Sequence, residues 1–235
     1  MTYRVLALTL FPEMFPGPLD YSLAGKALKE KKWEIETINL RDFGLSKHKN
    51  VDDTPYGGGP GMVMRPDVID AALQKAHAHA PSNKIIYFSP RGVPLTQNLA
   101  QDFAALSGVT LLCGRFEAVD QRVIDKWDLM EVSLGDYILS GGEVAALTLL
   151  DCIVRILPGV MGNRESDEEE SFSKDLLEYP HYTRPHLWEN RAVPEILLSG
   201  DHEKIKTWRR EQAEIITQQR RPDLFEKYQS RKDKN

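Results

Sequence analysis

Apolar residues along this chain fall into two repeating spacings, and their alternation predicts an α/β protein. Tyr3 to Leu10 alternates in the manner of a strand, and Leu19 to Lys32 has the spacing of a helix that covers it. Trp33 to Leu40 alternates again around Ile35 and Ile38. Pro66 to His79 carries a proline near its start and apolar residues at 68, 69, 72, 73 and 76, a helical spacing. Three short blocks with the look of buried strands follow, Lys84 to Ser89, Val109 to Cys113 and Leu129 to Leu134, separated by helices over roughly Leu95 to Leu106 and Ala118 to Trp127. Strands alternating with helices in this way predict a mostly parallel sheet wrapped by helices. Val144 to Leu157 is apolar on nearly every side, with Thr148, Asp151 and Arg155 at spacings of three and four along one face. Such a helix wants burial against its own sheet and against something else, most economically a second subunit. Beyond it, Val160 to Lys174 reads as a mobile acidic linker, and Pro194 to Leu198 with Glu203 to Gln219 as a smaller helical unit.

Each of the three later strands empties into a turn bearing glycine or proline: Pro90-Arg91-Gly92, Gly114-Arg115-Phe116 and Gly135-Asp136-Tyr137. Ligands of open α/β sheets bind beyond the carboxyl ends of the strands, so the three turns should converge on one pocket. Ser140-Gly141-Gly142 adds a fourth backbone-rich element at a helix start. Glycine lets a ligand approach main-chain groups closely, which suits a nucleoside cofactor, although turns also favour Gly and Pro for purely local reasons. The usual glycine fingerprint after the first strand is missing, since Thr9-Leu10-Phe11-Pro12 stands there. Gly57-Gly58-Gly59-Pro60-Gly61 lacks the Lys-Ser/Thr of a phosphate loop and reads better as a flexible lid over the site.

Composition narrows the class without naming it. Hydrophobic residues make up 41% and charged residues 28%, an ordinary globular balance. The longest apolar stretch is shorter than the ~20 residues of a bilayer span, and the first residues lack the basic segment of a signal peptide, so a cytoplasmic protein without membrane attachment is expected. Two cysteines, Cys113 and Cys152, are too few for a disulfide framework or a zinc site and read as small core hydrophobes. The net charge of −5 is uneven: residues 165–178 hold seven acids against one Lys, while residues 201–235 hold ten Lys and Arg against seven acids. A basic face for phosphates is therefore compatible with the acidic total. Aromatic and basic residues in Pro180 to Pro185, Trp188, Trp208-Arg209-Arg210 and Arg220-Arg221 could stack bases and contact phosphates, or simply pack a small domain.

Seven collinear stretches carry a resemblance: LFPEMF (10–15), VDDTPYGGGPGM (51–62), LLCGRFEAVDQR (111–122), LGDYILSGGE (134–143), LPGVMG (157–162), PHYTRP (180–185) and Arg220 to Leu224. Together they span nearly the whole chain, which resembles the bacterial tRNA (guanine-N1)-methyltransferases of the knotted SPOUT superfamily. The resemblance implies a deep trefoil knot in a cofactor-binding domain over residues 1–160, an acidic linker over 161–175 and a helical tRNA-binding domain over 176–235. It implies a homodimer with sites across its interface, and a tRNA whose guanosine immediately 3′ of the anticodon is methylated at N1. The cofactor it implies is S-adenosylmethionine, held by Tyr87, Phe88, Ser89 and Pro90, by Gly114, Phe116 and Glu117, by Ser133, Leu134, Gly135, Asp136, Tyr137, Ile138 and Leu139, and by Gly141 and Gly142. Contacts to the RNA are carried over to Gly59, His181, Tyr182 and Arg184. Arg155 matches the catalytic arginine. Glu170 stands where the family has a catalytic aspartate before Ser-Phe, with Asp167 as the second candidate for the base. Ala118 and Ala145 stand where relatives carry glycine and proline.

The chemistry gives those two charged residues separate tasks. Guanine N1 is protonated at neutral pH, so a carboxylate such as Glu170 would remove the proton, and the guanidinium of Arg155 would stabilise the charge that then falls on O6. A knotted methyltransferase acting at another RNA position, such as a ribose 2′-OH, and a non-catalytic RNA-binding protein are the alternatives that the sequence leaves open. It also leaves open whether Mg²⁺ assists.

Overall fold

The computed structural model describes residues 2–161, 171–172 and 175–232. Two compact units divide the chain, Met1–Gly162 and Asn163–Asn235.

The first unit is built on a five-stranded sheet in the order β2-β1-β6-β5-β8, in which every neighbouring pair is parallel. These strands are β1 (Tyr3–Thr9), β2 (Trp33–Asn39), β5 (Lys84–Pro94), β6 (Gly108–Leu112) and β8 (Met130–Ser133). Two-residue strands β3 (Asp52–Asp53), β4 (Val63–Met64) and β7 (Ala118–Val119) form a small second sheet. Strands covered on both faces must be apolar on both, which is why all five residues of β6 are buried. Successive residues of β1 feed opposite layers: Tyr3 and Val5 pack among α1 (Ser22–Lys29), α3 (Gln97–Ala104) and α5 (Gly142–Ile156), while Leu6 and Leu8 pack among α2 (Pro66–His79) and α4 (Gln121–Trp127).

The α5 helix contributes Ala146, Leu149, Leu150, Ile153 and Val154 to the first of these layers, all fully buried. Its opposite side, with Val144, Thr148 and Asp151, is exposed. Truncating Leu149 to Ala should cost about 2–5 kcal/mol, the range for a buried leucine whose cavity cannot collapse. Chemical denaturation would measure it, and a loss under 1 kcal/mol would mean that α5 is not packed as described.

Some elements differ from the sequence reading. The expected helix Leu19 to Lys32 is a 3-10 turn over Gly17–Asp20 followed by α1, because Tyr21 is extended and Ser22 takes a positive φ of 54°. The expected turn Pro90-Arg91-Gly92 lies within β5, where a register shift between Phe88 and Val93 bulges the strand and lets it pair with β8 a second time. Gly92 is needed there, since a Cβ would lie 2.4 Å from the backbone N of Val132.

The second unit holds a short hairpin, β9 (Leu187–Trp188) with β10 (Arg191–Ala192), a 3-10 turn over Glu195–Leu198, and two helices, α6 (His202–Arg220) and α7 (Pro222–Lys232). The second helix was not expected from the sequence. The side chain of Asp201 caps α6 by accepting from the Lys204 N–H. The Arg221 guanidinium beside Asp223 holds that carboxyl down to about 2, which keeps a negative charge at the first turn of α7, where the helix dipole favours it.

Candidate functional site

The carboxyl ends of β5, β6 and β8 open into one cavity of about 430 Å³. Its wall comes from four places: Tyr87 to Pro90 on β5, Gly114 to Ala118 after β6, Val132 to Gly135 at the end of β8, and Tyr137 to Gly142 with Ala145 at the start of α5. Of the sixteen positions carried over as cofactor contacts, fifteen line this space, and Asp136 does not. The convergence follows from the sheet, because β5 stands between β6 and β8 and all three strands point the same way.

Glycine is demanded at particular points of that wall. A Cβ on Gly114 would meet the Tyr87 ring at 2.8 Å, and one on Gly142 would meet the Cys113 Cα at 2.8 Å and the Gly114 N at 3.0 Å. Gly135 sits at φ +147°, which side chains rarely adopt. Phe116 takes a left-handed φ of 61° without being glycine, a conformation that costs about 1–2 kcal/mol. Strain of this kind gathers at ligand clamps. The Gly142 N–H donates to the Gly114 carbonyl (2.9 Å) and the Val119 N–H to the Tyr87 hydroxyl oxygen (3.3 Å), so the segments are tied to each other as well as to their strands. Burial pushes the Tyr87 hydroxyl up, and pushes the Cys113 thiol behind Gly114 well up, so both stay neutral. As expected, Cys113 is a core residue.

Ala118 and Ala145 also line the cavity, and so do Val132 and, from the turns that the sequence brings together, Arg115 and Ser140, none of the last three being among the positions carried over as cofactor contacts. Arg115 belongs to the expected turn Gly114-Arg115-Phe116, and its place between two carried-over positions was the available signal for its own part in the wall. Its ion partner Glu143 is fully buried and follows Gly142 directly.

The glycine loop reaches the cavity at one end only. Met62 accepts a hydrogen bond from the Glu117 N–H (3.0 Å), and a side chain on Gly61 would collide with that of Glu117. Gly57, Gly58 and Gly59, all at positive φ, have open space where a Cβ would stand. Gly59 is therefore near the cavity in sequence but does not line it.

Arg155 is not part of the wall. It sits in the last turn of α5, thirteen residues beyond Gly142 and so roughly 20 Å along the helix at 1.5 Å per residue. Glu170 and Asp167 lie outside the described residues, as does most of the acidic linker. His181, Tyr182 and Arg184 are exposed on the second unit. There the Tyr182 ring lies 6.4 Å from that of Trp208, the Tyr179 and His181 rings are 4.8 Å apart, and the Arg209 guanidinium stands over Tyr179 at 4.9 Å. Among the described residues no group of three or more His, Cys, Asp or Glu could hold a metal ion, and no helix is long and apolar enough to cross a membrane.

A parallel α/β unit with helices on both faces of its sheet and one glycine-walled cavity of small-molecule size defines a broad class. Comparison with known proteins sharpens that class. Residues 1–227 match the family model described as tRNA (Guanine-1)-methyltransferase TrmD. Proteins named tRNA (guanine-N(1)-)-methyltransferase are similar over nearly their full length: one from Brucella ovis is 58% identical over 226 residues (96% of this chain, 92% of that protein), one from Ruegeria pomeroyi 56% over 232 (98% and 96%), and one from Rhodospirillum rubrum 55% over 228 (97% and 95%). The chain belongs to the tRNA (guanine-1)-methyltransferase family and is an enzyme.

Proposed function

We propose that this chain transfers a methyl group from S-adenosylmethionine to N1 of a guanosine in tRNA, and that the guanosine is the one immediately 3′ of the anticodon. The observation that carries the proposal is the cavity at the ends of β5, β6 and β8. Its volume of about 430 Å³ lies within the ~300–1,000 Å³ of small-molecule sites. Glycine- and proline-bearing segments make up much of its wall, which suits main-chain contacts to a nucleoside and fits the cofactor that the family implies. Bound there, S-adenosylmethionine supplies a methyl group activated by its positive sulfur.

The chain's own residues then have three tasks. Tyr87 to Pro90, Gly114 to Glu117 and Ser133 to Gly142 hold and orient the donor. Glu170, or Asp167 in its place, accepts the N1 proton of guanine. Arg155 holds a positive charge beside O6, where negative charge develops. Since Arg155 stands about a helix length from the cavity of its own chain, it serves the cavity of a second copy. The exposed apolar residues Ile138 and Val144, by the cavity and on the outer side of α5, support a homodimer assembled on that surface. Gly59 and the exposed His181, Tyr182 and Arg184 contact the tRNA. In this reading residues 1–160 form a knotted domain, joined by a 161–175 linker to the RNA-binding unit 176–235. The enzyme works in the cytoplasm. Mg²⁺ remains an assisting ion in this reading, and turnover with and without a chelator measures its effect.

The test is methyl transfer from labelled S-adenosylmethionine to undermodified tRNA, with the modified nucleoside identified by mass spectrometry. The expected product is 1-methylguanosine, absent when the target guanosine is replaced by adenosine. Label on a ribose 2′-oxygen would favour another RNA methyltransferase, and no transfer with intact tRNA binding would favour a non-catalytic protein.

A further inference from the structure

At the edge of the cavity lies a largely buried charge pair that neither the carried-over cofactor contacts nor the base and its arginine account for. Glu143, the second residue of α5, has no solvent exposure, and its Oε2 stands 2.8 Å from Nε of Arg115. Its Oε1 accepts a hydrogen bond from the Thr9 hydroxyl (2.8 Å), whose oxygen in turn accepts from the Phe11 N–H (2.9 Å). The Arg115 guanidinium lies over the Phe11 ring at 4.4 Å and donates through Nη1 to the Ser140 carbonyl (3.3 Å). One side chain from the β6 turn thus grips both ends of Ser140-Gly141-Gly142-Glu143, and it passes so near Gly141 that a Cβ there would strike it.

Two physical points say what the pair is for. Desolvating two charges is costly, and buried ion pairs can often be replaced by apolar residues without loss of stability, so bulk stability is a weak reason for one to stand here. A planar guanidinium with donors in a fixed fork is suited to holding a carbonyl and a carboxylate at a set separation. The contact with Glu143 is close yet poorly aligned, since neither Arg115 Nε nor Glu143 Oε2 has a hydrogen bond of good geometry.

We infer that Arg115 and Glu143 are positioning residues for the methyl donor: acting together, they hold the Ser140–Gly142 wall of the cavity at the separation from Gly114 that the donor requires. The inference rests on the donor occupying this cavity, as proposed above. Without the pair, the Gly142 N–H to Gly114 bond is the one hydrogen bond among the described residues that ties the turn to the β6 end. Donor affinity then falls, while RNA binding, which other residues carry, does not.

The experiment compares full-length wild type, Glu143→Gln, Arg115→Gln and the double variant by calorimetric titration with S-adenosylmethionine, with tRNA affinity and melting temperature measured in parallel. Either single variant should weaken donor binding by about tenfold or more, with tRNA affinity within about twofold of wild type. The double variant should be no worse than the weaker single variant, because residues acting as one unit are not additive. Should Glu143→Gln not yield folded protein, Glu143→Asp keeps the charge, withdraws it by one methylene and is read in the same way. Donor affinity within twofold of wild type in folded variants, or equal losses for donor and tRNA, would overturn the inference. Absence of donor binding in the wild type would overturn the proposed function as well.

Discussion

Glu170→Gln and Arg155→Ala should each bind S-adenosylmethionine with near-normal affinity yet lose turnover, by roughly 10²–10⁴-fold for the base and ~10²–10³-fold for the arginine. For the arginine, the split between binding and turnover follows from where it stands. Arg155 is a helix length from the cavity that would hold the donor in its own chain, so its loss leaves the cavity wall whole. Single-turnover methylation of tRNA measures the effect, and a near-normal rate in either variant removes that residue from its role. With the arginine assigned to the neighbouring copy's cavity, mixing Glu170→Gln with Arg155→Ala protein should restore part of the activity when the base serves the cavity of its own chain, and none when both groups come from the neighbouring copy. If Asp167 is the base instead, its amide variant carries the loss and Glu170→Gln does not.

The second large effect is steric. Gly142→Ala adds a methyl that would stand 2.8 Å from the Cys113 Cα and 3.0 Å from the Gly114 N, both backbone atoms that no rotamer change can clear. Overpacking of this kind costs about 1–3 kcal/mol. The strain falls on the hydrogen bond that ties the two walls of the cavity, so the variant should melt lower and bind the donor roughly 5–150-fold more weakly, the same energy read as an equilibrium constant. Calorimetry with S-adenosylmethionine measures this, and unchanged affinity would mean that the turn does not shape the site.

These expectations draw on a site that was legible in the sequence to unequal depth. Pro66 and the apolar residues at 68, 69, 72, 73 and 76 mark α2 to its observed ends, because a proline start and a strict helical spacing agree. Val109 to Cys113 reads as buried because a strand covered on both faces has no place for a polar side. Pro90-Arg91-Gly92 misleads, since a bulge and a turn use the same residues and only pairing with β8 tells them apart. Pro222 to Lys232 escapes because Leu224 is its one buried residue among the described positions, too little for a periodic signal. In the cavity, the glycine- and proline-bearing turns announce the wall, but the union of Arg115 with Glu143 spans 28 positions and two elements, and a single sequence carries no sign of it. Asp136 departs for a local reason: Gly135 at φ +147° turns the chain, and Tyr137 and Ile138, not Asp136, face the cavity.

The family and its chemistry rest on similarity over nearly the whole chain, whereas the location of the donor rests on the geometry at the ends of β5, β6 and β8. The most direct measurement is a crystal structure of the protein with S-adenosylhomocysteine, the product that keeps every part of the donor except its methyl. Density for the nucleoside against Tyr87, Gly114 and the Leu134 to Gly142 turn is the predicted result. Density elsewhere, with this cavity holding only solvent, would contradict the account.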